Sequence, residues 1–298
     1  MIPRSAAAEF AYLHRLPPKE ALDYLRGRGA LTVTYSWQDL WQEEHAHQFT
    51  VSRLTRLDIL RAIQEAITAS VNGDLTRADW MRDTEALLKK EGWWGEKEII
   101  DRKTGETVKT VFDSKRLNLI FDTNTRQAYA AGKWQRIERA KKSHPYVRYI
   151  TKRDSRVRDA HKPWDNLTLP VDDPFWDTHS PPCDFRCRCR VTNMTREDYD
   201  QWAANGQIKT MPPKERMIEY ENPRTGEVTR VPYGVNPGFA YNVGKTDMRA
   251  RETARLVADK ISASPDKLGA AFLDELSQRE KDVLGEFYDR KNGKKGAR

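Results

Sequence analysis

The sequence predicts an α+β protein: a mainly helical N-terminal region, a small β-containing module rich in cysteine and histidine, and a helical C-terminal tail. Two patterns support this fold class. In the first half of the chain apolar residues recur at steps of three and four, most clearly from Leu57 to Val71. In the second half all three cysteines fall between residues 183 and 189. We expect three regions, residues 1–142, 143–244 and 245–298.

The composition indicates a folded protein rather than a disordered one. At 298 residues the chain is long enough to bury a full core and to divide into two or three units. Charged residues make up 32% and mean hydropathy is −0.83, but nine tryptophans and a 38% apolar share argue against wholesale disorder. No run reaches the length of a membrane span and no signal peptide is visible, so we expect a soluble protein made in a reducing cytosol.

The N-terminal region begins with three predicted helical segments. The first lies within residues 6–29, opened by Pro17-Pro18 and closed by glycines. The second covers residues 37–49, where Trp37 and Trp41 have helical spacing and His45 is expected at the surface. The third is the amphipathic pattern that ends at Asn72-Gly73.

Two further helices and a hairpin complete this region. Thr76 begins a capping pattern for a helix that stops at Gly92. The stretches around residues 99–100 and 108–112 flank Lys103-Thr104-Gly105-Glu106, a turn sequence that predicts a β-hairpin. A long helix then begins at Ser114 and continues past Gly132 into a basic segment.

The module at 143–244 is predicted to mix strands with short helices. A strand is expected at 146–151, a short helix capped by Thr195, a second hairpin over 217–231 and a glycine-rich loop over 234–244. Beyond residue 245 we expect one helix around 248–261 and another from Pro265 with Ser264 as its cap. The basic end RKNGKKGAR is expected to be disordered.

The cysteine-rich stretch predicts a structural zinc site. Cys187 and Cys189 are one residue apart, so in an extended strand both thiols leave the same face. A turn at residues 180–182 lets His179 and Cys183 swing back toward the pair, which gives the four N/S ligands of a closed tetrahedral Zn²⁺ site. His161 is an alternate ligand. The competing interpretation is three free thiols beside a surface histidine. A disulfide framework is disfavoured because three cysteines cannot all pair within the chain.

The net charge of +8 is concentrated in one segment. Residues 133–162 hold eleven Lys or Arg and three acidic residues, and the remainder of the chain is balanced. This pattern indicates a polyanion partner, DNA or RNA, or else a solvated helix face followed by a basic loop. The candidate nucleic-acid-binding residues are Lys133, Arg136, Arg139, Lys141, Lys142, Arg148, Lys152, Arg153, Arg156 and Arg158.

The runs TKRDSRVRDAHK, DDPFWDTHSPPCDFRCRCRV and GFAYNVG, in this order after Tyr149, resemble the phage Mu F-like family of minor head (head-morphogenesis) proteins. The N-terminal half agrees through LPPKEALDYLRGRG, YSWQDLWQEEHAHQFTVS and TNTRQAYAAGKWQ. After His161 this chain reads KPWDN where many members have a glycine, so the local turn is expected to differ. The family's charged and ligand positions would be Arg156, Arg158, His161, Asp172, Asp173, His179, Cys183, Cys187 and Cys189.

The resemblance implies a virion structural protein of a tailed phage or prophage, without established catalysis. Its expected partners are the portal protein, the major capsid protein and packaged double-stranded DNA, with no membrane and no small-molecule substrate. Its expected place is the capsid interior or portal vertex, and the host cytoplasm during assembly. The alternative is a zinc-stabilised nucleic-acid-binding protein or metal-dependent nuclease.

A nuclease would draw its general base and carboxylate ligands from the same module. The candidates are His161, Asp172, Asp173, Asp177 and His179. Aspartates in such loops usually make turns and caps, so the sequence favours a protein that is not an enzyme. A phosphate-cradling glycine loop is absent from the sequence.

Overall fold

The fold is described for residues 18–249 and Thr253 by a computed structural model, and it confirms the predicted α+β class. The helices are α1 Lys19–Gly27, α2 Glu44–His47, α3 Leu57–Asn72, α4 Arg77–Lys90, α5 Ser114–Ala140, α6 Phe175–Thr178, α7 Arg196–Ala204 and α8 243–249. The strands are β1 Ala30–Leu31, β2 Gln48–Phe49, β3 Gly95–Ile100, β4 Thr107–Phe112, β5 Tyr146–Ile150, β6 Thr168–Pro170, β7 Arg190–Met194, β8 Met217–Glu221 and β9 Val228–Pro232. Short 3-10 turns lie at Trp37–Asp39, Asp159–Trp164 and Pro237–Phe239. No helix in the described part of the chain is long and apolar enough to cross a bilayer.

Helices α3 and α4 form where the apolar spacing and the capping residues predicted them. The apolar stripe of α3 is buried from Ile59 to Val71, and Gly73 ends the helix at a φ of +92°. That left-handed conformation suits glycine, which has no Cβ. The Thr76 hydroxyl caps α4 by accepting the amide N–H of Asp79 at 3.1 Å.

The 27-residue helix α5 runs through both halves of the described fold. Its first turn is capped by the Asp113 carboxylate, and its early apolar residues such as Leu117 pack with α1, α3 and α4. Its later residues Trp134 and Ile137 belong to a second core that contains β5 and β6. At Gly132 the backbone of α1 comes so close that an added Cβ would lie 3.1 Å from the amide nitrogen of Ala21. Helix α5 therefore supports the cysteine module on the N-terminal helices.

Within residues 18–249, the β structure consists of four small sheets. Strands β3 and β4 form one antiparallel hairpin and β8 and β9 another, both as predicted. The cysteine module contains the antiparallel sheet β6-β5-β7. Strands β1 and β2 pair in parallel over two residues each.

An arginine joins the two hairpin turns. The Arg224 guanidinium contacts the carboxylates of Asp39 and Asp101 at 2.7 Å each, and both carboxylates are almost fully buried. Arg224 belongs to the β8–β9 turn, whereas Asp101 begins the β3–β4 turn. The hairpin of the cysteine module is thus held against the N-terminal hairpin.

The prediction of a helix over residues 37–49 is wrong. The chain there makes a single 3-10 turn, an extended link and the four-residue helix α2. Trp41 stacks on Tyr220 of β8 with ring centroids 5.7 Å apart, so this segment follows a tertiary contact rather than its own helical spacing. The imidazole of His45 is partly buried rather than at the surface, and burial lowers its pKa to about 4.

The C-terminal predictions are mostly beyond the reach of the structure. Helical residues begin at position 243, earlier than expected, and are described to 249. The remainder of the helix at 248–261, the helix from Pro265 and the basic end lie outside the described residues, except for Thr253.

Candidate metal centre and basic surface

Two loops of the cysteine module bring an imidazole and two thiols together. The 3-10 turn Asp159–Trp164 carries His161, whose side chain is buried at 1% exposure. The loop before β7 carries Cys187, which is 2% exposed, and Cys189, which is half-buried. The His161 Nδ1 atom lies 3.9 Å from Cys187 Sγ and 3.7 Å from Cys189 Sγ. All three atoms are within 4.8 Å of one another, a spacing that one metal ion can bridge.

The other ring nitrogen of His161 fixes which atom faces the thiols. Its Nε2 lies 2.8 Å from the carbonyl oxygen of Gly234. Since a carbonyl only accepts hydrogen bonds, Nε2 carries the proton and the Nδ1 lone pair points to the sulfurs. Trp164 stacks on the imidazole at 4.8 Å and holds its plane. A hydrogen bond from the other ring nitrogen to a carbonyl oxygen is what orients a metal-binding histidine.

Cys183 is fully buried beside this group, but its Sγ is not among the ligand atoms that lie within 4.8 Å of one another. Its Sγ lies 3.4 Å from the carbonyl oxygen of His179 and 3.7 Å from the hydroxyl of Tyr149. Hydrogen bonds from the thiols of Cys183 and Cys189 lower the pKa of the Cys187 thiol, whereas burial raises the pKa of Cys183.

The structure does not place His179 with the thiols. Its ring stacks on Phe175 at 4.0 Å, and its Nδ1 lies 3.2 Å from the Phe175 carbonyl oxygen. Burial lowers the pKa of His179 to about 4, so the ring is neutral at physiological pH. Of the ligands predicted from the sequence, Cys187 and Cys189 lie together with the alternate ligand His161, and Cys183 is adjacent to them. The imidazole of His179 instead faces an aromatic pocket.

Two residues that position the cluster of His161 and the cysteines could not be identified from spacing along the chain. The guanidinium of Arg126 on α5 donates to the carbonyl oxygen of Cys187 at 2.8 Å and so anchors the cysteine loop to the long helix. Gly234 has a φ of +95°, and a Cβ there would lie 2.8 Å from the Cβ of Ala160. The one sequence signal for the second contact was a glycine-rich loop.

The acidic residues of the nuclease alternative do not converge. Asp172 pairs with Lys141, Asp177 pairs with Lys245 at 2.7 Å, and Asp173 caps the amide of Phe175 at 2.9 Å. Among residues 18–249, His161, Cys187 and Cys189 form the one group of three or more His, Cys, Asp or Glu residues whose ligand atoms lie within metal-binding distance. The aspartates thus act in caps and ion pairs.

Most cations of the basic segment already have a carboxylate partner. The pairs are Arg136 and Arg139 with Glu20, Lys141 with Asp172, Arg153 with Asp165, Arg156 with Asp154, and Arg158 with Asp184. Arg148 lies over the ring of Trp202 at 4.5 Å, and burial lowers the pKa of Lys133. Lys142 and Lys152 are exposed and have no ion-pair partner within the described part of the chain. Much of the segment's excess charge is therefore neutralised by acids from outside it.

Comparison with known proteins agrees with the sequence resemblance. The family profile described as Phage Mu protein F like protein matches residues 58–192, which include His161 and all three cysteines. The chain is 37% identical to the putative capsid assembly protein F of Escherichia phage Mu over 187 residues, which are 63% of this chain and 42% of that protein. It is 30% identical to the Mu-like prophage FluMu F protein of Haemophilus influenzae over 165 residues, 55% of this chain and 39% of that one.

These matches span less than half the length of either relative. No solved structure gives a significant match to the chain. The family profile and both relatives nevertheless agree with one another and with the cysteine-rich runs quoted above. Over residues 58–192, the chain is similar to the Phage Mu protein F like family.

Proposed function

We propose that this protein acts in head assembly of a tailed phage or prophage, as a minor capsid component. The observation that carries the proposal is its 37% identity to the putative capsid assembly protein F of phage Mu. The proposed partners are the portal protein and the major capsid protein. The proposed location is the capsid interior or portal vertex, with the host cytoplasm as the site of assembly.

The cluster of His161 and the three cysteines suits a structural part better than a catalytic one. A catalytic zinc keeps one coordination position open to substrate, whereas a structural zinc is closed by four protein ligands. Here His161 and Cys187 are almost inaccessible and Cys183 is completely buried. A set of three sulfurs and one nitrogen in which three members are buried and Cys189 is half-buried matches the closed type.

We therefore assign the zinc ligands as His161 Nδ1 and the sulfurs of Cys183, Cys187 and Cys189. This set replaces the His179 of the sequence prediction by His161, whose Nδ1 is already oriented by Gly234. The ligands come from the 3-10 turn 159–164 and from the loop 183–189. Zinc would tie these two loops together and would stabilise the module without taking part in any reaction.

The head-assembly role is tested in the phage or prophage that encodes the chain. An in-frame deletion is complemented with the wild-type gene, and DNA-filled heads are counted by electron microscopy. We expect few or no filled heads without the chain, recovery on complementation, and the chain to stay with the portal when heads are fractionated. Normal numbers of filled heads in the deletion would refute the proposal.

Packaged DNA is proposed as a further contact, and the ion pairs limit how strong its electrostatic component can be. If all ten predicted cations bound phosphates, the slope of log K against log salt concentration would be about −9 for duplex DNA. A paired cation must give up its carboxylate to bind a phosphate, so the two exposed unpaired lysines, Lys142 and Lys152, predict a slope of about −2.

A filter-binding titration over a range of salt concentrations measures this slope. The double variant Lys142→Ala/Lys152→Ala should abolish the salt dependence, and Arg136→Ala, which removes a paired cation, should leave it unchanged. A slope near −9 would show that the ion pairs open on DNA. No measurable binding would remove DNA from the list of partners.

A further inference from the structure

A large cavity lies between the N-terminal helices and the cysteine module, and Phe185 forms part of its wall. Its volume is about 590 Å³. One wall comes from α1, the segment 50–52 and the start of α5, and the other from Phe185, Arg186 and residues 238–241. The head-assembly role and the metal centre make no use of this space.

One buried and one half-buried guanidinium, those of Arg28 and Arg116, face the cavity without an ion-pair partner. Arg28 is 5% exposed, and its hydrogen bonds go to the carbonyl oxygen of Gln48 and to Oδ1 of Asn124 at 2.7 Å. Arg116 donates to the Thr110 hydroxyl and to backbone carbonyl oxygens. Neither has an ion pair among the described residues. A buried cation bonded only to neutral oxygens favours an anion nearby.

The rim of the cavity adds two exposed cations, Lys115 and Arg186. Neither forms an ion pair with another residue of the described part of the chain. Asp113 is the one acid in the lining, and its carboxylate is engaged in capping α5 through the amide of Arg116 at 2.8 Å. The lining therefore holds four cations and one anion, and a ligand of negative charge complements it.

The remaining lining is mostly apolar, with hydroxyls that lack a partner. Trp37, Phe239 and Ile120 supply apolar surface. Tyr241 and Thr123 also belong to the lining, and their hydroxyl oxygens are buried and make no hydrogen bond with the described residues. An apolar pocket with a few convergent polar groups is the usual form of a binding site.

We propose that this cavity binds a short acidic segment of a partner protein, with an aromatic or aliphatic side chain seated in the apolar part and an adjacent Asp or Glu facing the four cations. The volume of about 590 Å³ lies within the usual range of ligand-binding pockets. This proposal rests on the charge and lining of the cavity and holds whether or not the chain builds phage heads.

The test is selection from a random dodecapeptide library displayed on filamentous phage, with the full-length chain immobilised as bait. Peptides with an apolar residue next to one or more acids should be enriched, and the synthetic consensus peptide should bind with an affinity that falls as salt rises. No enrichment, or enrichment of basic or neutral peptides, would overturn the proposal.

Variants assign the binding to this cavity. Charge reversal at the rim, Lys115→Glu/Arg186→Glu, should weaken the consensus peptide at least tenfold, and Thr123→Phe should abolish binding by filling the space. The matched control is Lys90→Glu on α4, an exposed lysine remote from the cavity lining, which should change the affinity less than twofold. Equal losses in rim and control variants would refute the assignment.

A fatty acid presents the same chemistry, an apolar body with a carboxylate. Dodecanoate is therefore tested by calorimetry on the wild-type protein and on Thr123→Phe. Binding of dodecanoate without any peptide selection would assign the cavity to a small lipid and would overturn the peptide proposal. Weak dodecanoate binding that the consensus peptide displaces would support it.

Discussion

Replacing His161 by alanine should abolish the stabilisation of this protein by zinc, whereas replacing His179 by alanine should leave it intact. The two histidines form a matched pair. Both are buried, both contact the ring of Trp164 with centroids 4.8 Å apart, and both would leave a cavity in the same core. They differ in that only the ring of His161 presents a nitrogen to Cys187 and Cys189.

The expected size follows from the linkage between binding and folding. A ligand at about 1,000 times its Kd stabilises the folded state by about 4 kcal/mol. For a folded unit of this size each kcal/mol shifts Tm by about 2–4 °C. Chelation should therefore lower Tm by roughly 8–16 °C in the wild type and in His179→Ala. In His161→Ala the chelator should have almost no effect, because three ligands remain and the affinity for zinc is lost.

The assay is thermal unfolding followed by calorimetry, with and without a chelator, on protein purified without a histidine tag. Zinc content is measured on the same samples by mass spectrometry, and cobalt substitution should give the charge-transfer absorption of thiolate ligands. Substoichiometric zinc in the wild type, or an equal chelator effect in His161→Ala, would refute the metal centre. Loss of the effect in His179→Ala alone would restore the ligand set predicted from the sequence.

Three further predictions concern the contacts around this centre. Arg224→Leu should destabilise the protein by about 3–5 kcal/mol in urea unfolding, because it leaves the buried carboxylate of Asp101 without its cation and leaves Asp39 with the more distant Lys103, at 3.6 Å. Arg230→Leu, at an exposed position of the same hairpin, should cost under about 0.5 kcal/mol. Gly234→Ala should reduce zinc affinity about 10–100-fold by displacing the carbonyl that orients His161, whereas Gly226→Ala, also at positive φ but with open space around it, should not. Hydrogen bonds from Arg188 lower the pKa of Asp154 to about 2, so the stability from this pair is present above pH about 4 and is lost as pH falls toward 2. An NMR titration should show the Asp154 pKa returning toward its ordinary value in Arg188→Gln. An unchanged pKa would contradict the pairing.

The fold was predictable where a local pattern decides the structure. The stripe of α3, the cap of Thr76 and the two hairpin turns each depend on residues within one or two turns of one another, and each forms as expected. Trp37 and Trp41 show the limit of this reasoning. Their helical spacing is overridden by stacking on Tyr220, which is about 180 residues later in the sequence.

The candidate site was predictable in its chemistry but not in its full membership. The one-residue spacing of Cys187 and Cys189 does place both thiols near one imidazole. Proximity in sequence favoured His179, yet a short helix holds that ring on Phe175. The ring of His161 reaches the thiols although His161 lies 26 residues before Cys187 in the sequence. The orientation of this ring depends on Gly234, which lies 73 residues after His161.

A count of charges along the sequence does not show which cations of the basic segment have carboxylate partners in the fold. Residues 133–162 carry a large excess of cations, but carboxylates from distant elements, such as Glu20 of α1 and Asp184 of the cysteine loop, lie against them. In the described fold, the segment therefore joins the N-terminal helices to the cysteine module through ion pairs. By contrast, the four cations around the cavity are scattered from residue 28 to residue 186, so that no sequence window shows them. Because they lack carboxylate partners among the described residues, we expect the attraction for an acidic partner to be stronger at the cavity than along the basic segment.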